Sequence, residues 1–239
     1  MIENHRLRLR ALLAVNGDHS LGALTRICSL AVRELQVSGA GVTLVSRPGT
    51  IHAQQRLVHA SDIIAARLED LQLTVGEGPG LTAVTSRAPV LIPDLAAARS
   101  RWPAFCPDAQ HIGAAAVFAF PLTLGAIALG SLDCYRTTTG PLGGDHVTSG
   151  LLLAEMAFEA LLSEVAGHAP DDLGWISDIH AEVHQATGIV SYQLGVSVQA
   201  ALLRIRAYAY AHERRLGDVA ADVVARRLRF ESDATGGEK

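Results

Sequence analysis

Arg206 and Tyr210 stand four residues apart in "RIRAYAYAHERRL", so on a helix they lie one above the other. A guanidinium beside an aromatic ring suits a nucleotide: the cation grips phosphate while the ring stacks on a splayed base. The same spacing is met by Arg206 covering the ring or pairing with a carboxylate. Arg214 and Arg215 follow at a helix junction, where they either favour a helix C-terminus or reach phosphate. Upstream, His180, His184, Thr187 and Ser191 make a polar stripe on the preceding helix. The two histidines find no Cys, Asp or Glu at ligand spacing, so no metal is expected. Arg226 follows Asp222 by four residues, which predicts a surface ion pair. Arg227 falls inside an apolar arc and must snorkel, and Arg229 faces Asp218 and Asp222. These distal arginines are weaker candidates than Arg206, Arg214 and Arg215.

Charge supports the same focus. The 239 residues carry a net charge of -4, yet residues 204–229 hold seven arginines against Glu213, Asp218 and Asp222. Such a local excess suits a polyanion, although a solvated helical face has the same composition. Lys239 is the sole lysine, so every internal cation is the type suited to bidentate phosphate contacts. Cys28, Cys106 and Cys134 are too few and too widely spaced for a disulfide framework or a metal site. No apolar run reaches the length of a membrane span and the N-terminus has no signal-like apolar core, which predicts the cytoplasm. G-x-S-x-G, HExxH and P-loop patterns are absent, and Asp133 and Cys134 fall on opposite faces of a strand. No catalytic residue or cofactor is assigned, with an unrecognised active site left as an alternative.

The elements that must position these side chains are legible in outline. Periodicity predicts helices over 5–15 and 21–35, the second capped by Ser20. "GAGVTLVS" (39–46) is a strand ended by the turn "RPGT", and 51–60 its hairpin partner. A short helix over 62–70 leads to the loop "VGEGPG", with Pro79 in the first turn of the next helix. "PVLI" (89–92) is a strand, and 93–109 is irregular. "AAAVFAFPL" and "AIALGSLDCY" form a central antiparallel pair. A helix over 146–165 carries Leu151, Leu152, Glu155, Met156, Glu159 and Leu162. The sum is an α+β domain, an antiparallel sheet with its helices largely on one side. "GHAPDDLG" breaks the pattern and places a boundary near residue 170. Three helices follow: 175–194 on an arc of Trp175, Ile179, Val183, Ala186, Val190 and Leu194; a second, capped by Ser197 after Gly195, burying Val198, Ala201, Leu202, Ile205 and Ala209; and a third over 216–230. The expected domains are 1–170 and an all-α bundle over 171–232, with a disordered tail at 233–239.

Gln185, Ala186, Thr187, Gly188, Ile189 and Val190, then Gly195 and Ser197, then Ala200, Ile205, Arg206 and Ala209, then Glu213, Arg214, Leu216, Val219 and Ala220 reproduce a spaced pattern. On these residues the bundle resembles an ANTAR domain, the helical RNA-binding module of bacterial antiterminators. Thr187 replaces the family's Lys and Glu213 its Asn, and both changes weaken attraction to RNA. "GEGPGLTAV", "VLIPDL", "RWPAF" with "IGAAAVFAFPL", and "LGSLDCYR" with "GPL" make residues 20–165 similar to a GAF domain of the kind joined to ANTAR modules in actinobacterial proteins. The resemblance implies an RNA-binding antitermination regulator, acting as a homodimer on paired RNA hairpins. It implies a small-molecule signal, unidentified, between sheet and cross-loops. The expected RNA contacts are His184, Gln185, Thr187, Arg206, Tyr210, Arg214 and Arg215. In the sheet domain "GEGPG" offers amides to an anion or simply solves a turn; Trp102 and Phe105 line a cavity or belong to the core; Asp94 caps a helix or meets a ligand. A protein-interaction scaffold using Leu203 and Tyr210 is the alternative in another class.

Overall fold

Leu132 and Cys134 face one side of a strand and Ser131, Asp133 and Tyr135 the other, and all five are buried. A strand covered on both faces belongs at the centre of a sandwiched sheet. The computed structural model describes residues 2–15, 22–46, 54–125, 127–166 and 181–231. The chain divides into two units, Met1–Ala169 and Pro170–Lys239. In the first the elements run α1 (Ile2–Val15), α2 (Ala23–Leu35), β1 (Gly39–Ser46), β2 (Gln54–Ala60), α3 (Ile63–Val75), α4 (Pro79–Ser86), β3 (Val90–Ile92), α5 (Phe105–Ile112), β4 (Ala116–Leu124), β5 (Ile127–Arg136) and α6 (Gly144–Ala166). The five strands are ordered β2-β1-β5-β4-β3 and every pairing is antiparallel. The expected central pair is β4 and β5.

Helices cover both faces of the sheet, not largely one. On one face α2 and α6 bury Ile27, Ala31, Leu153 and Phe158 against Val42, Phe118, Phe120 and Leu132, with Leu9 of α1 in the same core. On the other, α3 and α5 enclose Val117, Ala119 and Tyr135, and α4 lies against β4 and β5. Ion pairs from Arg6 to Glu155 and from Arg10 to Glu159 hold α1 along α6.

Several boundaries shift for local reasons. The cap of α2 is Gly22, not Ser20, which lies outside the described residues together with "RPGT" and the tail at 233–239. Asp62 caps α3 by accepting from the Ala65 amide at 2.8 Å, and that helix continues to Val75. Residues 105–112 are helical where an irregular segment was expected. The Glu77 carboxylate accepts from the Ala104 and Phe105 amides at 2.7 and 3.0 Å, capping α5 from a loop distant in sequence. On α6, Leu151 and Leu162 are exposed while Leu152, Leu153, Met156 and Leu161 form the core side. Trp102 and Phe105 are core residues, and Asp94 accepts from the Ala96 amide as a local cap.

A polar network lies inside the second face. Thr43 donates to Glu69 Oε2 at 2.8 Å; Gln72 Nε2 donates to Glu69 Oε2 and to Asp133 Oδ2 at 3.1 and 3.0 Å. The Gly80 amide donates to Gln72 Oε1 at 2.8 Å. That approach requires glycine, since a Cβ at position 80 would stand 2.1 Å from Asp133 Oδ2. "GEGPG" is therefore a turn whose Gly76 and Gly80 amides serve Gln72. Burial raises the pKa of both Glu69 and Asp133, and the Asp133 charge raises Glu69 further. All three thiols are free and buried, with Cys28 pushed up to about 12 by burial and so inert at neutral pH.

Among the described residues, the second unit holds α7 (Ala181–Leu194), α8 (Val198–Ala211) and α9 (Leu216–Val224). Val183, Ala186, Thr187 and Val190 of α7 are buried, as are Ala201, Ile205 and Ala209 of α8 and Leu216, Val219, Ala220 and Val223 of α9. Gly195, at φ 63°, ends α7, and Ser197 caps α8 by accepting from the Ala200 amide. Val198 is exposed, because capping by Ser197 puts it in the first turn and off the core face. Trp175 and Ile179 lie outside the described residues.

The raised Glu69 pKa has a direction that can be measured. A carboxyl whose folded value lies above its unfolded value near 4.5 stabilises fully below the unfolded value. That contribution is lost as pH rises through the folded one. Glu69→Gln, which keeps a neutral donor and acceptor in place, should gain stability over wild type as pH rises from about 5 to about 9. Urea midpoints at the two pH values check this; a gap that does not widen with pH would contradict it.

Candidate nucleic-acid interface

The third helix of the bundle was expected to reach residue 230, and it stops at Val224. Arg226 takes φ 59°, a left-handed conformation that ends the helix, and its amide donates to Val223 O. The amides of Arg227 and Leu228 both donate to Asp222 O at 2.8 and 3.1 Å. Farther on, the Phe230 amide donates to Gln193 Oε1 at 3.2 Å. The Phe230 ring meets the edge of Tyr208, which stacks on His212. The chain after α9 is thereby laid along α7.

Between them is an open groove of about 770 Å³. One wall is the α7 face made by His184, Gln185, Gly188, Ile189, Tyr192 and Gln193; the other is Arg226, Leu228 and Arg229. Tyr192 is 91% exposed. Partial desolvation lowers the His184 pKa and so favours the neutral ring. Gly188 sits mid-helix with nothing within 4 Å of where a Cβ would be. An interior helical glycine costs about 1 kcal/mol relative to alanine, and no neighbouring atom among the described residues calls for it.

Of the seven residues expected to contact RNA, the groove takes His184 and Gln185. Thr187 is a correction. It is buried on the core side of α7, with its hydroxyl donating to Val183 O at 2.6 Å, and so is closed to any ligand. Arg206 is half-buried, desolvation lowers its pKa, and its Nε is buried without a hydrogen-bond partner among the described residues. Tyr210 is 52% exposed on α8. Arg215 is exposed at the cap position of α9.

Arg214 donates to Asp222 Oδ2 at 2.6 Å, and Arg227 donates to Asp222 Oδ1 at 2.7 Å. Asp222 thus pairs with Arg214 and Arg227, not with Arg226 as the four-residue spacing suggested, because the helix has ended before Arg226. For the same reason Arg229 faces the groove and not the acidic side of α9. The groove residues not singled out from sequence are Tyr192 and Gln193, and Arg226 and Arg229 rank there below Arg206, Arg214 and Arg215. The α7 side carried a signal, since positions 184, 188 and 192 recur every four residues; the other wall depended on where α9 ends. Among the described residues no group of three or more His, Cys, Asp and Glu is placed to hold a metal, and no single helix is long and apolar enough to cross a membrane.

Arg214, and then Arg227, hold the Asp222 carboxyl below its ordinary value of 3.8. A depressed folded value means that the pairing stabilises above about 3.8 and is lost as pH falls through the lower folded value. Asp222→Asn should therefore melt below wild type at pH 7, with the two curves converging at about pH 2. Circular dichroism melts at both pH values check this, and a gap that persists in acid would contradict it.

Comparison with known proteins finds a likeness for each kind of unit. The family model of the ANTAR domain matches residues 178–224. No curated protein matches the chain. Among solved structures, the GAF domain of an Acinetobacter phosphoenolpyruvate-protein phosphotransferase is similar at 11% identity and a TM-score of 0.51, over 70% of this chain and 96% of that one. The GAF domain of the corresponding Coxiella burnetii protein is similar at 13% identity and a TM-score of 0.51, over 68% of this chain and 95% of that one. At such identities the likeness is one of fold. The helices after the boundary are an ANTAR domain, at residues 178–224, joined in one chain to a unit with the GAF fold.

Proposed function

We propose that the chain is an RNA-binding transcription antitermination regulator, active in the cytoplasm, whose GAF-like unit receives a signal and governs the pairing of ANTAR domains on RNA hairpins. The ANTAR match over 178–224 carries this reading. Arg206 supports it as a half-buried cation on α8 of the type that pairs with phosphate. Arg215 and Tyr210 lie exposed for further phosphate and base contacts. Arg214 is committed to Asp222, which limits its part in binding.

Pairing of two chains is supported by Leu7 of α1 with Leu151 and Leu162 of α6, large apolar side chains left exposed in the first unit. Two linked domains convert a second weak hairpin contact into an intramolecular one and raise the overall affinity. The ligand of the GAF-like unit is a small molecule of unassigned chemistry. A second reading, a protein-interaction scaffold, is favoured by Leu203 at 66% and Val198 at 52% exposed on α8. Leu203→Ser would abolish such a partner while sparing RNA.

Sequencing of transcripts captured by the full-length protein, followed by salt titration of the enriched hairpins, tests the proposal. Arg206→Ala should weaken hairpin binding and lower the slope of log K against log salt by about one. Light scattering should give a dimer with hairpin bound. No enriched hairpin at low salt, or a monomer on RNA, would end the antitermination reading.

A further inference from the structure

We infer that the groove between α7 and residues 226–230 is a pocket for an unstacked nucleotide of a single-stranded RNA loop. The inference deepens the RNA-binding reading and rests on it for the class of partner. Four observations converge. Among the described residues, the groove walls present two arginines, Arg226 and Arg229, that make no ion pair, and include no carboxylate. Such a lining attracts a phosphate and would repel nothing on an anionic strand. Tyr192 projects beside them almost wholly exposed, a platform on which a base stacks, while Gln185 and Gln193 supply amides at base-edge reach. Its volume of about 770 Å³ falls in the range of small-ligand pockets, about 300–1,000 Å³.

The fourth observation is Gly188. Neither its backbone conformation nor its neighbours require glycine, yet it interrupts the middle of α7 where it faces the groove. Removing the side chain opens the helix backbone to close approach by a flat group. Arg226 makes a parallel point on the opposite wall: a non-glycine residue is held left-handed where glycine would be easier, at a position that lines the groove. Both positions sacrifice stability in favour of what the groove admits.

This supplies variants whose folding and binding effects run in opposite directions. Gly188→Ala should raise the melting temperature of the unit by a few degrees, about what one restored helix residue gives, and weaken binding several-fold. Arg226→Gly suits the left-handed angle, so it should melt at or above wild type while binding several-fold more weakly with a shallower salt slope. Tyr192→Ala, at an exposed site, should lose roughly tenfold in affinity.

The probes are a mixed-sequence RNA hexamer carrying 4-thiouridine and a hairpin with a randomised loop, both with the full-length protein. Crosslinks of the hexamer on α7 at or beside Tyr192, together with the three losses, are expected. Crosslinks elsewhere, or unchanged affinity in the three variants, would overturn the groove while hairpin binding by wild type still upheld the RNA reading. A hexamer seated at Tyr192 without any transcript hairpin enriched would uphold the pocket and overturn antitermination. Failure of both probes would overturn both.

Discussion

Asp222 is the residue on which the geometry of the second unit turns. Its carboxylate accepts from Arg214, ahead of α9, and from Arg227, beyond it, while its carbonyl accepts from the amides of Arg227 and Leu228. One residue near the end of a short helix therefore fixes the chain on both sides of that helix. Without this clasp the segment after Val224 has one further anchor of note, the Phe230 contacts with Gln193 and Tyr208. The clasp also sorts the cations. Arg214 and Arg227 share the Asp222 carboxylate, and Arg226, held left-handed between the helix end and Arg227, lines the groove. Charge count along the sequence treats these arginines alike; the hydrogen bonds do not.

The sheet unit depends on an interior constraint of a different kind. Two carboxyl groups, Glu69 and Asp133, face each other where water is excluded, and Gln72 donates to both. Two buried like charges at such separation are not tolerated, so one stays protonated and the pair behaves as a hydrogen-bonding unit that carries a single negative charge. The network ties α3 to β1 and β5, and through Gly80 it seats α4 on the sheet. Asp133 Oδ1 remains buried without a partner among the described residues, so the network is not fully satisfied. This is the face on which the resemblance placed a ligand. The protein's own polar side chains occupy it at Thr43, Ser131 and Asp133, so any signal molecule there must engage or displace them.

What was legible followed from local chemistry. Alternation along "AIALGSLDCY" and "GAGVTLVS" gave strands within a residue or two, and Ser197, Gly195 and Pro79 marked helix ends because capping acts over three or four residues. Failures came where a distant group decided the outcome. Nothing in "AFCPDAQHI" announces that Glu77 will cap it from another loop. The four-residue spacing of Asp222 and Arg226 is a sound pairing rule on a helix, and it failed because the helix had already ended. Thr187 looked like part of an outer stripe, yet a hydroxyl that returns its hydrogen bond to the carbonyl four residues earlier is compatible with burial. The candidate site was half readable: its α7 wall from periodicity, its other wall only from the Asp222 clasp.

The two substitutions that set this chain apart from the ANTAR pattern take on different meanings in the structure. Loss of a lysine at Thr187 removes a cation from the α7 sequence, but the position points inward; the α7 residues that line the groove, among them His184, Gln185, Gly188 and Tyr192, bring no cation for a reason of their own, their side-chain types. The positive charge of the groove comes from Arg226 and Arg229, on the segment after α9. Glu213, at φ 51° in the junction between α8 and α9, adds its charge at the other end of α9, outside the groove lining. A surface that divides its labour in this way, neutral stacking and amide groups on a rigid helix, cations on a clasped strand of chain, is suited to grip one splayed base and its phosphate. It is less suited to a smooth duplex, whose affinity grows with the number of cations along one face.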